Sequence, residues 1–490
     1  MKKNNILKVV LISILVIVLL TWLLPTATYT SELAIGDRAQ MGIFDLFNYP
    51  TVALQYFFHI LLYALAVGGF YGIASKTGVY RKLLDKIVDG FKGKEKVFVI
   101  VVSILFALLA SCVGMTYSLI FLFPFVIAVL LLMGYDKIMA AMVTVGSVIV
   151  GIMGSLFSTD VTYYIKNYLS VDYSNEILTK IIILVIGLVL LIFNALVYGK
   201  KTKAKKVNES DVEWYIPEEV KEEKIVAKIA KKVVKEKKDK KKAKKAKEKK
   251  VWPFVLIADL TVLIAALASF SWAGVFGLET FSKATTKVTE FKVFKFPLFG
   301  KILGNVSPFG EWTIATLITL VVISTIIMAL VYRIKIDDFF DGYKNGIKKA
   351  AKPAFIMMLI YTILVAVTYN PFQLVIYKFL LNIGKGFNVI TTALTAFVSG
   401  VFNVEFLYSA NATIPYFLSL VTDTKVYPLV GVIFQSMYAV AMLIAPTSVI
   451  LMGTLAYLDI PYGKWLKHIW KFLLEIVIVL FVVFTIVMLV

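Results

Sequence analysis

The run Asn403-Val404-Glu405-Phe406-Leu407-Tyr408-Ser409-Ala410-Asn411-Ala412-Thr413-Ile414-Pro415 gathers a carboxylate, two amides and two aliphatic hydroxyls within an otherwise apolar stretch. An ionisable side chain at membrane depth costs about 2.5–3.5 kcal/mol on insertion scales, which makes Glu405 a functional candidate by default. It could bind Na⁺, carry H⁺ or pair with a cationic group of a solute. The plainer alternative sets it near the outer interface, where it simply meets water. Asn403, Ser409, Asn411 and Thr413 add amide and hydroxyl groups suited to holding a small solute.

A second polar interruption follows at Ala445-Pro446-Thr447-Ser448. Proline removes a backbone donor and biases the residue before it towards extended geometry, so a new half-helix can begin there. Free N–H groups at such a start, with the Thr447 and Ser448 hydroxyls, suit a carboxylate; a purely structural kink is the competing reading. The first half of the chain has related features. Ser111, Gly114 and Thr116, in Ser111-Cys112-Val113-Gly114-Met115-Thr116, offer backbone and hydroxyl oxygens without a charge, for a cation, a solute or packing alone. Gly154-Ser155, after Gly146 and Gly151, makes Ser155 a candidate, although glycines at near-helical spacing also serve close helix packing.

These residues do not compose an enzyme. No phosphate-binding glycine loop, Ser/His/Asp arrangement or pair of carboxylates at useful spacing is present, and His59 and His468 lack zinc-site spacing. The one cysteine, Cys112, cannot form an intrachain disulfide and suits a small buried thiol. No cofactor is expected beyond Na⁺ or H⁺ as a coupling ion.

The elements that must position these groups are membrane helices. Apolar residues make up 60% of the chain and its mean hydropathy is strongly positive, against about 45–50% apolar in soluble domains. By the length needed to cross a hydrocarbon core, spans are expected at Ile6 to Leu24, Leu54 to Ala74, Lys137 to Leu156, Ile177 to Tyr198, Pro253 to Val275, Trp312 to Tyr332, Pro353 to Tyr369, Tyr427 to Leu458 and His468 to Val490. The first has an apolar part of about 19 residues, longer than a signal-peptide core, and no small-residue cleavage pattern, so it reads as a retained helix. Residues 97–133 and 387–421 each have room for two short limbs and break near the middle, as re-entrant hairpins would. An unwound segment persists in hydrocarbon only where it lines protein or a cavity, and paired interruptions in two halves point to a transporter's binding site. The expected fold is therefore an all-α polytopic membrane protein, an inverted-repeat transporter with about nine spanning helices and two hairpins.

Basic short loops stay cytoplasmic. The N-terminus, Lys76 to Lys96, Lys200 to Lys250, Arg333 to Lys352 and Lys464 to Lys467 therefore read as inside, and Thr26 to Pro50 and Ser158 to Glu176 as outside, in the cell membrane. Five crossings separate the hairpins, so they enter from opposite faces, the first from the cytoplasm. The loop Phe276 to Glu311 is read as external by parity, yet it carries five lysines against the rule. Three regions follow: residues 1–199, a first transmembrane half; 200–250, a lysine-rich cytoplasmic linker; and 251–490, a second half. The linker accounts for much of the net charge of +21. A solvated tether is its simplest role and anionic lipid its candidate partner; nucleic acid is excluded for want of interleaved aromatics and a folded module. A homodimer is admissible.

Pro446-Thr447-Ser448-Val449-Ile450-Leu451-Met452-Gly453, followed by Ile460-Pro461-Tyr462-Gly463-Lys464-Trp465-Leu466-Lys467, resembles the PTSG segment and Tyr-x-Lys-Trp-x-Lys tail of YfcC/DcuC-type carriers of the ion transporter superfamily. Gly68-Gly69-Phe70-Tyr71-Gly72-Ile73 with Lys76-Thr77-Gly78, Gly114-Met115, Gly134-Tyr135-Asp136 and Phe340-Asp341-Gly342 are similar to further family segments. The resemblance implies a secondary carrier of amino acids, such as arginine/ornithine exchange, or of C4-dicarboxylates. The chain departs from the family where acids after Gly-Met become Tyr117 and Ser118. An Asn-Pro becomes Ser158-Thr159-Asp160, and a Ser-Gly-Ser-Gly becomes Tyr408-Ser409-Ala410-Asn411. The expectation is an ion-coupled symporter or antiporter of a small carboxylated solute, with a non-transporting scaffold acting through its basic linker as the alternative.

Overall fold

The computed structural model describes residues 5–204 and 249–489. Most of the lysine-rich linker lies outside them, including Glu222 to Val234, whose sequence would suit a short amphipathic helix. Nine helices among the described residues are long and apolar enough to cross a membrane. The protein is an all-α polytopic membrane protein.

Several spans differ from the expected ones. The helix expected from Leu54 begins at Ile43 and runs to Lys76, and the one expected from Pro353 begins at Ile336 and runs to Tyr369. Both carry an internal proline, Pro50 and Pro353, which a membrane helix tolerates where neighbours satisfy the freed backbone. The first is interrupted at Phe57 by non-helical dihedrals (φ −113°, ψ 16°). Tyr427 to Leu458 is not one span: it divides into helices Tyr427–Met442 and Val449–Leu458 around the Pro446 break. Helix Trp252–Ser269 stops six residues short of Val275 as expected from hydropathy, and a separate turn, Trp272–Phe276, follows.

Hydropathy is blind to backbone–backbone contact, and such contact joins the two long helices. A Cβ on Gly72 would lie 2.1 Å from the Gly342 carbonyl oxygen, and one on Gly346 would lie 2.0 Å from that of Gly68. Small residues four apart on both helices let their axes approach this closely, the membrane substitute for a hydrophobic driving force. Two segments distant in sequence, Gly68 to Gly72 and Gly342 to Gly346, are thus the two sides of one contact.

Each half also contains a hairpin followed by a broken helix. The first hairpin rises through Glu95–Leu108 and a π-helical turn, Leu109–Val113, reverses at left-handed Gly114 (φ +78°), and returns through Ser118–Phe121 and Phe123–Leu132. Its ends meet at one place. Glu95 pairs with Lys203 at 3.1 Å, and the Gly134 carbonyl accepts from the Ala204 N–H at 2.9 Å. Tyr198 packs edge-on against His468, and Asn5 accepts from the Tyr462 N–H, so this is the face that carries Asn5. The second hairpin, Val389–Phe402 and Phe406–Leu420, leaves Tyr416 against Tyr29, next to the Ala27 N–H bond to Pro371. That lies at the far end of helix Ile6–Leu23. The two hairpins open towards opposite faces of the array.

The broken helices, Lys137–Met153 and Tyr427–Met442, lie at the centre and are buried almost throughout. Substituting Gly72→Leu or Gly346→Leu forces side-chain atoms into backbone, and overpacking of this kind costs about 1–3 kcal/mol. The thermal midpoint of the purified protein in detergent should fall for both, while Gly463→Ala, whose added Cβ meets nothing within 4 Å, should leave it unchanged.

Candidate functional site

Helix Ser147–Met153 ends at Gly154, and its last carbonyls would be orphaned in hydrocarbon without partners from elsewhere. Gln435 Nε2 donates to Met153 O at 3.2 Å and Ser155 O at 3.3 Å, and Ser436 Oγ donates to Met153 O at 3.2 Å. Both donors come from the middle of Tyr427–Met442 in the other half. The first hairpin completes the closure: Ser111 Oγ donates to Gly154 O at 2.7 Å, while Ser111 O accepts from the Leu156 and Phe157 N–H groups. At the second break, Thr447 Oγ1 donates to Val401 O at 2.7 Å. The carbonyls freed at that break, Leu443 O and Ile444 O, accept from Trp465 Nε1 at 2.9 Å and from Tyr462 Oη, so the first break is sealed by the hairpin and the opposite helix and the second by the last helix, Tyr462–Leu489.

Between these junctions lies a cavity of about 610 Å³. The first hairpin tip contributes Gly114, Thr116 and Tyr117, and the first break contributes Thr159 and Asp160. Glu405 and Phe406 come from the second hairpin tip, Tyr438 from the second broken helix, and His59 from the long helix beyond the Phe57 interruption. Three carboxylates, Asp160, Glu405 and Glu311, face this space, and among the described residues no lysine or arginine does. Glu405 and Asp160 are close enough for their charges to interact.

Glu405 caps the start of Phe406–Leu420 in extended geometry. Its Oε1 accepts from Tyr361 Oη at 2.5 Å, and the Phe57 ring stacks on Tyr361 with centroids 4.2 Å apart. A second cavity, about 460 Å³ and lined by Tyr56, Phe57, Thr368, Tyr369 and Tyr408 among others, shares Glu405 and His59 with the first. Thr116 faces Asp160 through its hydroxyl and amide, although Oγ1 makes no hydrogen bond of good geometry and is buried.

Of the residues expected to bind, Gly114, Thr116 and Glu405 reach the large cavity. The others have different roles, and the reason is local satisfaction of buried polar groups. Ser111 seals the Gly154 carbonyl. Ser155 Oγ pairs with Thr162 Oγ1 at 2.9 Å across the first break. Ser399 Oγ meets both Ser409 Oγ at 2.7 Å and Thr413 Oγ1 at 2.8 Å, so these three hydroxyls fasten the limbs of the second hairpin together, while Asn403 Nδ2 donates to Ser399 O at 2.9 Å at the end of its own limb. Asn411 Oδ1 accepts from Tyr168 Oη at 3.0 Å. Thr447 is bonded to Val401 O, and Ser448, buried with an unpartnered Oγ, lines neither cavity.

Asp160, His59, Tyr361 and Tyr438 were not singled out from sequence. Charge and hydropathy put Asp160 in the external loop Ser158 to Glu176, whereas it stands in the unwound segment between Met153 and Thr162 and lines the cavity. It was legible: it is the lone acid from Lys137 to Tyr168, just after an apolar run, and the cost of a charge at membrane depth that picked out Glu405 applies to it equally. His59, Tyr361 and Tyr438 had no such signal, because ordinary helix positions acquire their meaning only from what faces them.

A family model described as the C4-dicarboxylate anaerobic carrier, DcuC, matches residues 4–490. The chain belongs to that family. It is accordingly a multi-pass membrane protein of a carrier family. An uncharacterized protein of Haemophilus influenzae is 28% identical over 149 residues, 30% of this chain and 28% of that protein's length. Among solved structures, the YdaH transporter of Alcanivorax borkumensis aligns over 98% of this chain and 97% of its own at 13% identity, with a TM-score of 0.40.

Gln435→Leu removes the donor that serves two buried carbonyls, and an unsatisfied buried group costs about 1–3 kcal/mol. Its thermal midpoint should fall further than that of Ser436→Ala, which leaves Gln435 to serve Met153. The reverse order would mean that the break is held by something else.

Proposed function

We propose that this protein is a secondary active transporter, ion-coupled as symporter or antiporter, of a small carboxylated solute that also bears an amino group. The arginine/ornithine class of amino acid fits better than a C4-dicarboxylate. The observation that carries the reading is the cavity in which both hairpin tips and both broken helices meet, with Asp160 and Glu405 facing it, His59 on the same wall and, among the described residues, no lysine or arginine lining it. At an effective dielectric of about 20, unit charges about 5 Å apart interact by roughly 3 kcal/mol. A dianion would meet that repulsion from each ionised acid, whereas an ammonium or guanidinium group gains the same amount.

Glu405 and Asp160 hold the solute's cationic group or exchange it for a coupling cation, Na⁺ or H⁺. The carboxylate lies against the free N–H groups that open Phe406–Leu420. The Thr116 hydroxyl, buried beside Asp160 and lining the same cavity, adds a second polar group to that position. The Thr447 and Ser448 carboxylate site read from sequence is set aside, because those groups face away from the described cavities. The opposed hairpins support an inverted repeat in which substrate and ion shift the populations of two access states. The scaffold alternative offers no reason for four interrupted elements to surround a cavity of this size.

The test is uptake into proteoliposomes under separate Na⁺ and pH gradients and in counterflow, with labelled arginine, ornithine, succinate and fumarate. Saturable amino-acid uptake is expected. Glu405→Gln and Asp160→Asn should each lower it about 10-fold or more, since a hydrogen bond to a charged group is worth about 1.5–3 kcal/mol. Dicarboxylate flux without amino-acid flux would overturn the charge argument, and no selective flux under any gradient would overturn the carrier.

A further inference from the structure

The five lysines between Phe276 and Glu311 contradict the charge rule for an external loop, and transport through the central cavity gives them no role. The structure shows what they belong to. Helices Thr280–Glu290 and Leu298–Leu303 form an arm joined by a tight reversal, with a bridge between Val293 and Phe296 and left-handed Phe294 and Lys295 at its tip. Neither helix has a buried residue. Phe291, Phe294, Phe296, Phe299, Ile302 and Leu303 are all exposed, Phe294 to 98%.

Left in water, such a surface would be an apolar liability on a small, otherwise unsupported arm. Its base stands among aromatic rings of the kind that mark a membrane interface. Trp272 packs on Phe281 with centroids 5.2 Å apart, Phe309 packs on Trp312 at 5.4 Å, and both tryptophans donate to backbone carbonyls, Leu267 and Ser307. The arm is flanked directly by Trp252–Ser269 and Ile314–Val331, whose outer faces expose Leu256, Leu260 and Leu263 on one helix and Ile323, Ile326 and Ile327 on the other. The arm thus joins two helices whose outer faces are apolar, and Phe276 and Leu278 at its start are exposed as well. Its lysines, Lys283, Lys287, Lys292, Lys295 and Lys301, outnumber the glutamates Glu279, Glu290 and Glu311. Of these, Lys283 pairs with Glu279 at 3.0 Å.

We propose that residues 276–311 form an interfacial arm that lies on the membrane, with its phenylalanines at the headgroup–acyl boundary and its lysines on anionic lipid headgroups. The combination of bulky apolar side chains and interspersed lysine is what binds an amphipathic element in the plane of a bilayer. The arm is the counterpart, on the opposite face, of the attraction usually assigned to cytoplasmic lysines. The lysines stand outside the charge rule because they answer to a lipid surface after insertion rather than to orientation during it.

The full-length protein carrying Cys112→Ser and Phe294→Cys, labelled with an environment-sensitive fluorophore at residue 294, tests this in proteoliposomes of phosphatidylcholine alone or with phosphatidylglycerol. The expected result is blue-shifted emission, quenching by lipids spin-labelled high on the acyl chain and protection from aqueous iodide. The blue shift should grow with phosphatidylglycerol and lose that dependence in the Lys292→Glu/Lys295→Glu variant. Full iodide quenching without lipid quenching would overturn the proposal by placing the arm in water. Protection from both quenchers would overturn it equally, in favour of a protein surface such as a second copy of this chain.

Discussion

An interrupted helix in hydrocarbon cannot leave its freed carbonyls to water, and the architecture at the centre of this protein depends on that constraint. Met153 O and Ser155 O are served by Gln435 and Ser436, Gly154 O by Ser111, and Val401 O by Thr447. The break in the first half can therefore exist only with the middle of Tyr427–Met442 against it. Two segments more than 280 residues apart are joined by this requirement, and the hairpin tips are drawn to the same depth. The cavity is what remains between elements that bond to one another through their unwound parts.

That cavity gathers carboxyl groups on a frame with uneven rigidity. At one boundary, Gly68 and Gly72 meet Gly342 and Gly346 with backbones in contact, an arrangement that resists sliding because nothing flexible stands between the helices. The same two helices present Phe57 and Tyr361, whose stacked rings hold the Glu405 carboxylate. Glu405 is thus the point at which a hairpin tip touches the long-helix frame. In the proposed carrier, a cation that takes Glu405 would compete with Tyr361 for the carboxylate, coupling occupancy of the cavity to the hairpin's hold on the frame.

The polar residues of the second hairpin illustrate how a functional signature can be shared between binding and assembly. Ser409, Thr413 and Asn403 look like a ligand set in one dimension, but the two hydroxyls meet Ser399 Oγ across two antiparallel limbs and the amide closes the end of its own limb on Ser399 O. Ser111 and Thr447, one from each half, each bond a neighbour's carbonyl. Hydroxyls near unwound backbone were rightly read as signs of interruption. Many of them close the interruption instead of contacting a solute.

What the sequence by itself determined is the membrane-spanning character and the position of the breaks, because hydropathy and proline and glycine placement are local quantities; the cost of a buried charge, equally local, marks Glu405 as a candidate, and the fold puts it on the cavity wall. Asp160 was within reach of the same reasoning. Which groups face the cavity was decided only by tertiary structure: a hydroxyl is a ligand or a seal according to whether a carbonyl from a distant segment lies within about 3 Å of it. The same holds for His59, Tyr361 and the paired glycines of the two long helices. Their roles come from a partner that the chain brings to them only after the halves have folded together.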